Sequence, residues 1–224
     1  MKHIAVAIDG PTGAGKTTLA RILARDLGYL YVDTGAMYRT VGLYVCRQGI
    51  DSRDVAGTVA CLPHIALEII HSASGQRILL NGEDVSDAIR SETASRYASD
   101  VSAVPEVRSF LLEMQRAFAR RTSVIMEGRD IATVVLPAAD IKIFLTATSQ
   151  IRARRRVAQL VESGQAAAYA AVHSALLSRD YNDSTRAAAP LRPAEDGLIV
   201  DTTHLSIEQV RRALITIVRE TIHV

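Results

Sequence analysis

Gly10-Pro11-Thr12-Gly13-Ala14-Gly15-Lys16-Thr17 spells G-x-x-x-x-G-K-T, a spacing suited to holding a chain of phosphates. Its glycines let the backbone curl so that successive N–H groups face an anion. A helix beginning at the loop adds its positive end and its unpaired N–H groups. In this motif Lys16 reaches the β- and γ-phosphates and the Thr17 hydroxyl is placed for Mg²⁺. The run Gly10–Thr18 is therefore read as the triphosphate-binding segment, with Thr17 as the metal contact. It identifies a bound nucleoside triphosphate and leaves the fate of the phosphate open.

Three further stretches set arginine beside aspartate and small residues. They are Asp33-Thr34-Gly35 through Tyr38-Arg39, then Gly128-Arg129-Asp130, then Arg179 through Arg186. Each is read as a loop near the carboxyl end of a strand, where ligands of open α/β sheets collect. Arginine grips phosphate with two parallel hydrogen bonds, so a second anion facing the triphosphate would account for this density. Taken singly, each is equally an ordinary solvated ion pair. A fourth group, Arg152 to Arg156 with the stretch on to Gly164, has the character of a lid that closes over a triphosphate and excludes water.

The elements that must position these groups follow from pattern. Five short apolar runs read as core strands: Ile4–Ile8, Tyr29–Asp33, Ser123–Glu127, Ile141–Leu145 and Leu198–Asp201. Helical patterns separate them, among them Leu19–Leu27, Thr34 to about Gln48, Asp51 to about Leu62, Ser91–Ser102, Pro105–Arg120, a helix from Ser149 and another over Ala166–Arg179. Ser206 with Gln209 forms a capping box for the last helix, which runs to about Glu220. Between His64 and Val85 the period changes to two. A turn at Ser72–Gly75 and an Asn81-Gly82 turn mark an antiparallel insertion. The expected fold is α/β: a five-stranded parallel sheet with helices on both faces, a small antiparallel β insertion and a helical lid. The core spans 1–61 and 105–224 with a lid at about 152–170, and the insertion spans 62–104.

Composition narrows the function. The 224 residues suffice for one α/β domain with an insertion, and the net charge of +2 argues against a protein that coats nucleic acid. Of the 26 Lys and Arg residues, all but three (Lys2, Lys16, Lys142) are arginine. Cys46 and Cys61 lack paired spacing and read as free thiols in a reducing, cytoplasmic setting. His3, His64, His71, His173, His204 and His223 show no metal-ligand spacing, and no run is long enough to span a bilayer.

Over nearly its whole length the chain resembles the cytidylate kinase family of nucleoside monophosphate kinases. The matching stretches are Ile8–Thr17, Asp33–Arg39, Leu80–Val85, Glu127–Ile131, Lys142–Leu145, Arg179-Asp180 with Asp183–Arg186, and Ala189–Leu191. The resemblance implies a core, a monophosphate-binding insertion and a lid, with ATP, Mg²⁺ and CMP or dCMP as ligands of a monomeric enzyme. By position it implies that Ser99, Arg108 and Asp130 face cytosine. Arg39, Arg129 and Arg186 hold the CMP phosphate, Arg179 and Asp183 hold the sugar, and Tyr38 and Thr34 line the pocket. The family usually has Asp where Glu127 stands and Gly where Ala132 stands.

The expected chemistry is in-line transfer, with crowded phosphate charge neutralised by Lys16, Arg129, Arg186 and the lid arginines Arg155 and Arg156. Rival readings are a kinase for UMP, shikimate or gluconate, a nucleotide sensor without turnover, and a nucleic-acid module. The Asn81–Val85 hairpin opposes the sugar and shikimate types, and the late arginines oppose the sensor. The balanced charge opposes the last.

Overall fold

A computed structural model describes residues 3–72 and 75–222. The chain divides into two compact units, Val32–Arg120 and the remainder, Met1–Tyr31 with Arg121–Val224. In chain order the elements are β1 (Ala5–Asp9), α1 (Lys16–Leu27), β2 (Leu30–Asp33), α2 (Thr34–Arg47), α3 (Val55–Cys61), β3 (Leu67–Ser72), β4 (Gly75–Leu80), β5 (Glu83–Asp84), α4 (Glu92–Val101), α5 (Pro105–Arg121), β6 (Val124–Gly128), β7 (Ile141–Thr146), α6 (Ser149–Glu162), α7 (Tyr169–Thr185), β8 (Leu198–Asp201) and α8 (Ile207–Ile222).

The five core strands form one sheet in the order β2-β6-β1-β7-β8. β1 is central and pairs in parallel with both β6 and β7, and β7 pairs in parallel with β8. The chain leaves β1 toward one edge and later returns to build the other. A ligand crevice opens at such a switch point, at the carboxyl ends of the strands. The register brings Asp9 of β1 level with Gly128 of β6 and Phe144 of β7. Ile8, Ile125, Ile143 and Leu145 lie buried with Leu19 and Leu23 of α1 and Val210, Leu214 and Val218 of α8. Ala7 and Met126, which alternate with them along β1 and β6, are buried too. Residues covered on both sides explain why these strands read as continuous apolar runs.

The second unit holds its own core, including Met37, Val41, Ile78, Leu80, Val85, Val101 and Leu111. The expected insertion, 62–104, lies within this unit. Its sheet is antiparallel, in the order β3-β4-β5. Asn81 and Gly82 both have positive φ, as the tight turn from β4 to β5 requires. Asn81 also explains why β3 begins at Leu67. Its side chain accepts from Ala66 N at 2.7 Å and donates to the His64 carbonyl at 3.0 Å, holding the chain just before the strand. The expected turn at Ala73-Ser74 lies outside the described residues, as do Lys2 and His223.

Three local assignments differ from the pattern reading, and one element has no counterpart in it. The helix expected from Asp51 begins at Val55, because the Asp54 carboxylate accepts from Gly57 N at 2.9 Å and so caps it there. The stretch after β6 is a π-helical turn over Ile131–Val135. The helix expected from Ala166 begins at Tyr169. The stretch Arg179–Arg186, expected as a loop, belongs to the last turns of α7, with Arg186 as its C-cap. Asp180, Asn182, Asp183, Ser184 and Thr185 are weak helix formers, but ion pairs from Arg152 to Asp180 and from Arg129 to Asp183 hold this end in place. The capping box on α8 forms as expected, with Ser206 N donating to Gln209 and Gln209 N donating to Ser206. Cys46 and Cys61 are free. No helix among the described residues is long and apolar enough to cross a membrane.

Candidate active site

The loop from β1 to α1 carries the whole phosphate-binding motif. Gly15 is the N-cap of α1, and no side chain caps that end, which leaves its backbone donors facing the loop. Gly10 has φ +145, and a Cβ there would overlap the carbonyl of Leu145 on β7. Gly13 lies against Arg152, whose Cβ and carbonyl oxygen would each stand 3.1 Å from a Cβ on it. The loop is thus held closely by its neighbours as well as curled.

Pro11, Ala14 and Lys16 are buried, Thr12 is half-buried, and Thr17 and Thr18 are exposed. The Lys16 ammonium donates to the Pro11 carbonyl at 2.8 Å. Burial first, and the Arg129 charge after it, lower its pKa to about 7 against the opposing pull of Glu127. An anion that displaced the Pro11 carbonyl would restore the charged form.

Thr12 is gripped from two directions. Arg129 Nη2 donates to its hydroxyl at 2.6 Å, and Arg152 Nη1 donates to its carbonyl at 3.1 Å. Arg129 also pairs through Nε with Asp183 at 2.7 Å. Arg152 also donates to the Ala147 carbonyl at 2.9 Å and pairs with Asp180 at 2.7 Å. Arg179 and Asp183 stand one turn apart on α7, with Arg186 just beyond. Arg186 donates to the Ala189 carbonyl at 2.8 Å and lies 3.5 Å from Asp130. Burial pushes the Asp183 carboxyl up, but the charges of Arg129 and Arg179 outweigh it and hold the group below the ordinary value.

Two buried carboxylates organise the floor. Asp9 accepts from Ile131 N at 2.9 Å and Ala132 N at 2.8 Å, anchoring the π-helical turn that follows Asp130. Burial dominates at Asp9 and raises its pKa to about 6. Glu127 accepts from Thr17 at 3.1 Å and from Tyr31 at 2.5 Å. Asp9 and Tyr31 escaped the reading of the sequence, and Arg152 entered it only as part of the lid. The available signals were an acid closing an apolar strand for Asp9 and the first place in an arginine run for Arg152; Tyr31 carried none.

On α6, Arg155 forks onto Thr202, meeting its hydroxyl at 2.9 Å and its carbonyl at 2.7 Å. Arg156 is half-buried and makes no ion pair or hydrogen bond with the described residues.

The second unit carries its own polar group. Asp33 caps α2 by accepting from Ala36 N at 2.9 Å, and its other oxygen pairs with Arg39 at 2.8 Å. Thr34 is buried in the first turn of α2. Arg108 lies with its guanidinium carbon 5.6 Å from the centroid of the Tyr38 ring and donates to the Ser102 carbonyl at 3.1 Å. Ser99 is half-buried on α4, and its carbonyl accepts from the Ser102 hydroxyl at 2.8 Å.

The phosphate loop, a fork of buried arginines beside it and two acids beneath make a constellation suited to phosphoryl transfer. Comparison with known proteins agrees. The family model described as cytidylate kinase matches residues 6–220. The cytidylate kinase of Caldicellulosiruptor saccharolyticus is 49% identical over 210 residues, covering 94% of this chain and 93% of that protein. That of Rhodococcus opacus is 46% identical over 216 residues, covering 96% and 94%. Among solved structures, a gluconokinase from Sinorhizobium meliloti superposes with a TM-score of 0.51 at 13% identity, covering 100% of this chain and 97% of that one. An uncharacterized protein from Eubacterium ventriosum gives 0.55 at 10%, covering 98% and 99%. The structural likeness is one of fold, whereas the sequence match extends along the chain: this chain belongs to the cytidylate kinase family.

Proposed function

We propose that this chain transfers the γ-phosphoryl group of ATP to CMP or dCMP, giving ADP and CDP or dCDP. The observation that carries the reading is the Arg129 guanidinium, bonded at once to Thr12 of the phosphate loop and to Asp183 of α7. One planar cation is thereby fixed beside the donor loop and beside a helix that presents Arg179 and Asp183. A phosphoryl group passing between two phosphates needs such a neutralising group at its path and little covalent help.

The acceptor oxygen of a nucleoside monophosphate is already anionic near neutral pH, so no general base is needed. Lys16 and the loop N–H groups hold the triphosphate. Arg39, Arg129 and Arg186 are assigned to the CMP phosphate, Arg179 and Asp183 to the sugar, and Tyr38 and Thr34 to the pocket wall. Asp130, Ser99 and Arg108 are assigned to cytosine, whose amino group donates to a carboxylate where uracil would present a carbonyl. Of the two α6 arginines, Arg156 is assigned to the transferring phosphoryl group, because Arg155 already commits two donors to Thr202. The inserted monophosphate domain is taken as 62–104 and the lid as about 152–170. A monomer in a reducing cytoplasm fits the two free thiols.

A magnesium ion fits the residues present. The Thr17 hydroxyl and the Glu127 carboxylate are hard oxygen donors 3.1 Å apart at the lip of the loop. Magnesium asks for few protein ligands and keeps several waters beside the phosphates. Bound there, it would supply charge neutralisation across the β- and γ-phosphates.

The test is ADP release with a panel of CMP, dCMP, UMP, AMP, shikimate and gluconate. The expected result is turnover of CMP or dCMP with kcat/KM about tenfold or more above UMP, the discrimination one good base contact supplies. Equal use of CMP and UMP, or turnover only with a sugar or shikimate, overturns the assignment.

A further inference from the structure

Glu127 has three side-chain torsions and ends in two equivalent oxygens, and the structure gives those oxygens different donors. Oε2 takes the Thr17 hydroxyl at 3.1 Å, and Oε1 takes the Tyr31 hydroxyl at 2.5 Å. Tyr31 belongs to β2, next to β6 in the sheet, so backbone pairing sets the spacing of the two side chains. Its ring is held in turn, with the Arg21 guanidinium carbon 5.3 Å from the ring centroid. Glu127 is 4% exposed, so its carboxylate relies on protein donors, and these two hydroxyls are among them. A short hydrogen bond from a neutral hydroxyl to a carboxylate is among the stronger neutral–ion contacts.

We propose that Tyr31 is a positioning residue for the divalent cation. It pins one oxygen of Glu127 so that the other stays at Thr17, where the cation's water shell has to be received. Tyr31 touches neither nucleotide in this account and acts only through Glu127. The same logic governs outer-shell partners of metal-binding side chains, whose loss weakens metal binding while leaving the ligands themselves in place. The inference rests on the proposed kinase reading only through the metal at Thr17, and it is independent of the acceptor.

The test uses Mn²⁺ as the probe, read by electron paramagnetic resonance, on the full-length protein with ATP and no acceptor. Tyr31→Phe is expected to weaken Mn²⁺ binding to the ATP complex about tenfold, the lower end for loss of an outer-shell partner. Affinity for ATP in the presence of EDTA is expected to stay at the wild-type value. Glu127→Asp shortens the side chain so that it cannot span Tyr31 and Thr17, and alone it should show a similar loss. Adding Tyr31→Phe to Glu127→Asp should then change nothing further. Wild-type Mn²⁺ affinity in Tyr31→Phe or in Glu127→Asp overturns the proposal. So does a parallel loss of metal-free ATP binding, or a fully additive double variant. Failure to phosphorylate CMP would sink the acceptor assignment and leave this measurement intact.

Discussion

Arg129 and Asp183 lie 54 positions apart in the chain, and their side chains meet at 2.7 Å with 18% and 6% of their surfaces exposed. Two charges this enclosed are interdependent, because removing one strands the other. Asp183→Asn is therefore expected to destabilise the protein by about 3 kcal/mol, the lower end for breaking a buried pair. The pH dependence follows from its lowered carboxyl. The stability Asp183 contributes is complete above its ordinary value of 3.8 and is lost as pH falls through the lower value it has in the folded protein. Urea titrations from pH 7 to pH 3 should show a shallower acid loss in Asp183→Asn than in the wild type.

Lys16→Ala should abolish measurable transfer, a loss of at least about 10²-fold, since a fixed donor aimed at developing phosphate charge is removed. The fold should persist, because the ammonium donates to the Pro11 carbonyl within its own loop. Melting temperature and kcat measured on the same preparation separate the two effects.

The same lysine links nucleotide binding to protons. In the free protein its pKa is about 7, so at pH 8 most of it is neutral. A bound triphosphate stabilises the ammonium, so ATP binding at pH 8 should take up protons. Calorimetry in two buffers of different ionisation enthalpy reads that uptake directly, and Lys16→Ala should eliminate it. In the absence of nucleotide its pH dependence runs in the same direction as Asp183's, with stability rising as pH rises, because both groups are lowered in the folded protein. Burial makes the charged form costly, and that cost is relieved as pH rises from about 7 toward 10.5.

Asp130 is 3% exposed and lies 3.5 Å from Arg186. Asp130→Asn should lower kcat/KM for CMP by about 10- to 100-fold, the range for one bidentate base contact, and should leave ATP affinity within about twofold. Steady-state kinetics with CMP and UMP check it, and an unchanged CMP-to-UMP ratio would remove Asp130 from base selection.

The two neighbouring arginines of α6 should divide. Arg155→Gln removes hydrogen bonds to Thr202, each worth about 1.5 kcal/mol for a charged donor. Its main effect should be a melting temperature lower by about 6–12 °C, given about 3 kcal/mol for the two bonds and about 2–4 °C per kcal/mol for a chain of this size. Arg156→Gln should leave the melting temperature unchanged and lower kcat. Thermal scanning beside kinetics tells them apart.

The centre of the sheet was legible because β1 and β6 are buried on both sides. Val6, Ala7 and Ile8 have no polar residue among them, and neither do Val124, Ile125 and Met126. The phosphate loop was legible because its chemistry is written in consecutive residues. What escaped depends on contacts distant in sequence. The end of α7 reads as a loop because Asp, Asn, Ser and Thr compete with the helix locally, while Arg129 and Arg152, from other segments, hold it. The run Ile131–Val135 takes no element from its pattern, and the Asp9 carboxylate, 122 and 123 positions away from the amides it receives, starts the π-helical turn. Tyr31 and Glu127 are 96 positions apart, and nothing in either neighbourhood announces the other.

The overlap awaiting any side chain at Gly10 constrains descent as well as geometry. No intermediate residue leads away from glycine there, since even alanine would have to push the Leu145 carbonyl out of its strand. A codon-randomised library at that position, selected for growth, should return glycine and nothing else. At Gly82, equally left-handed but with open space around it, asparagine should survive the same selection.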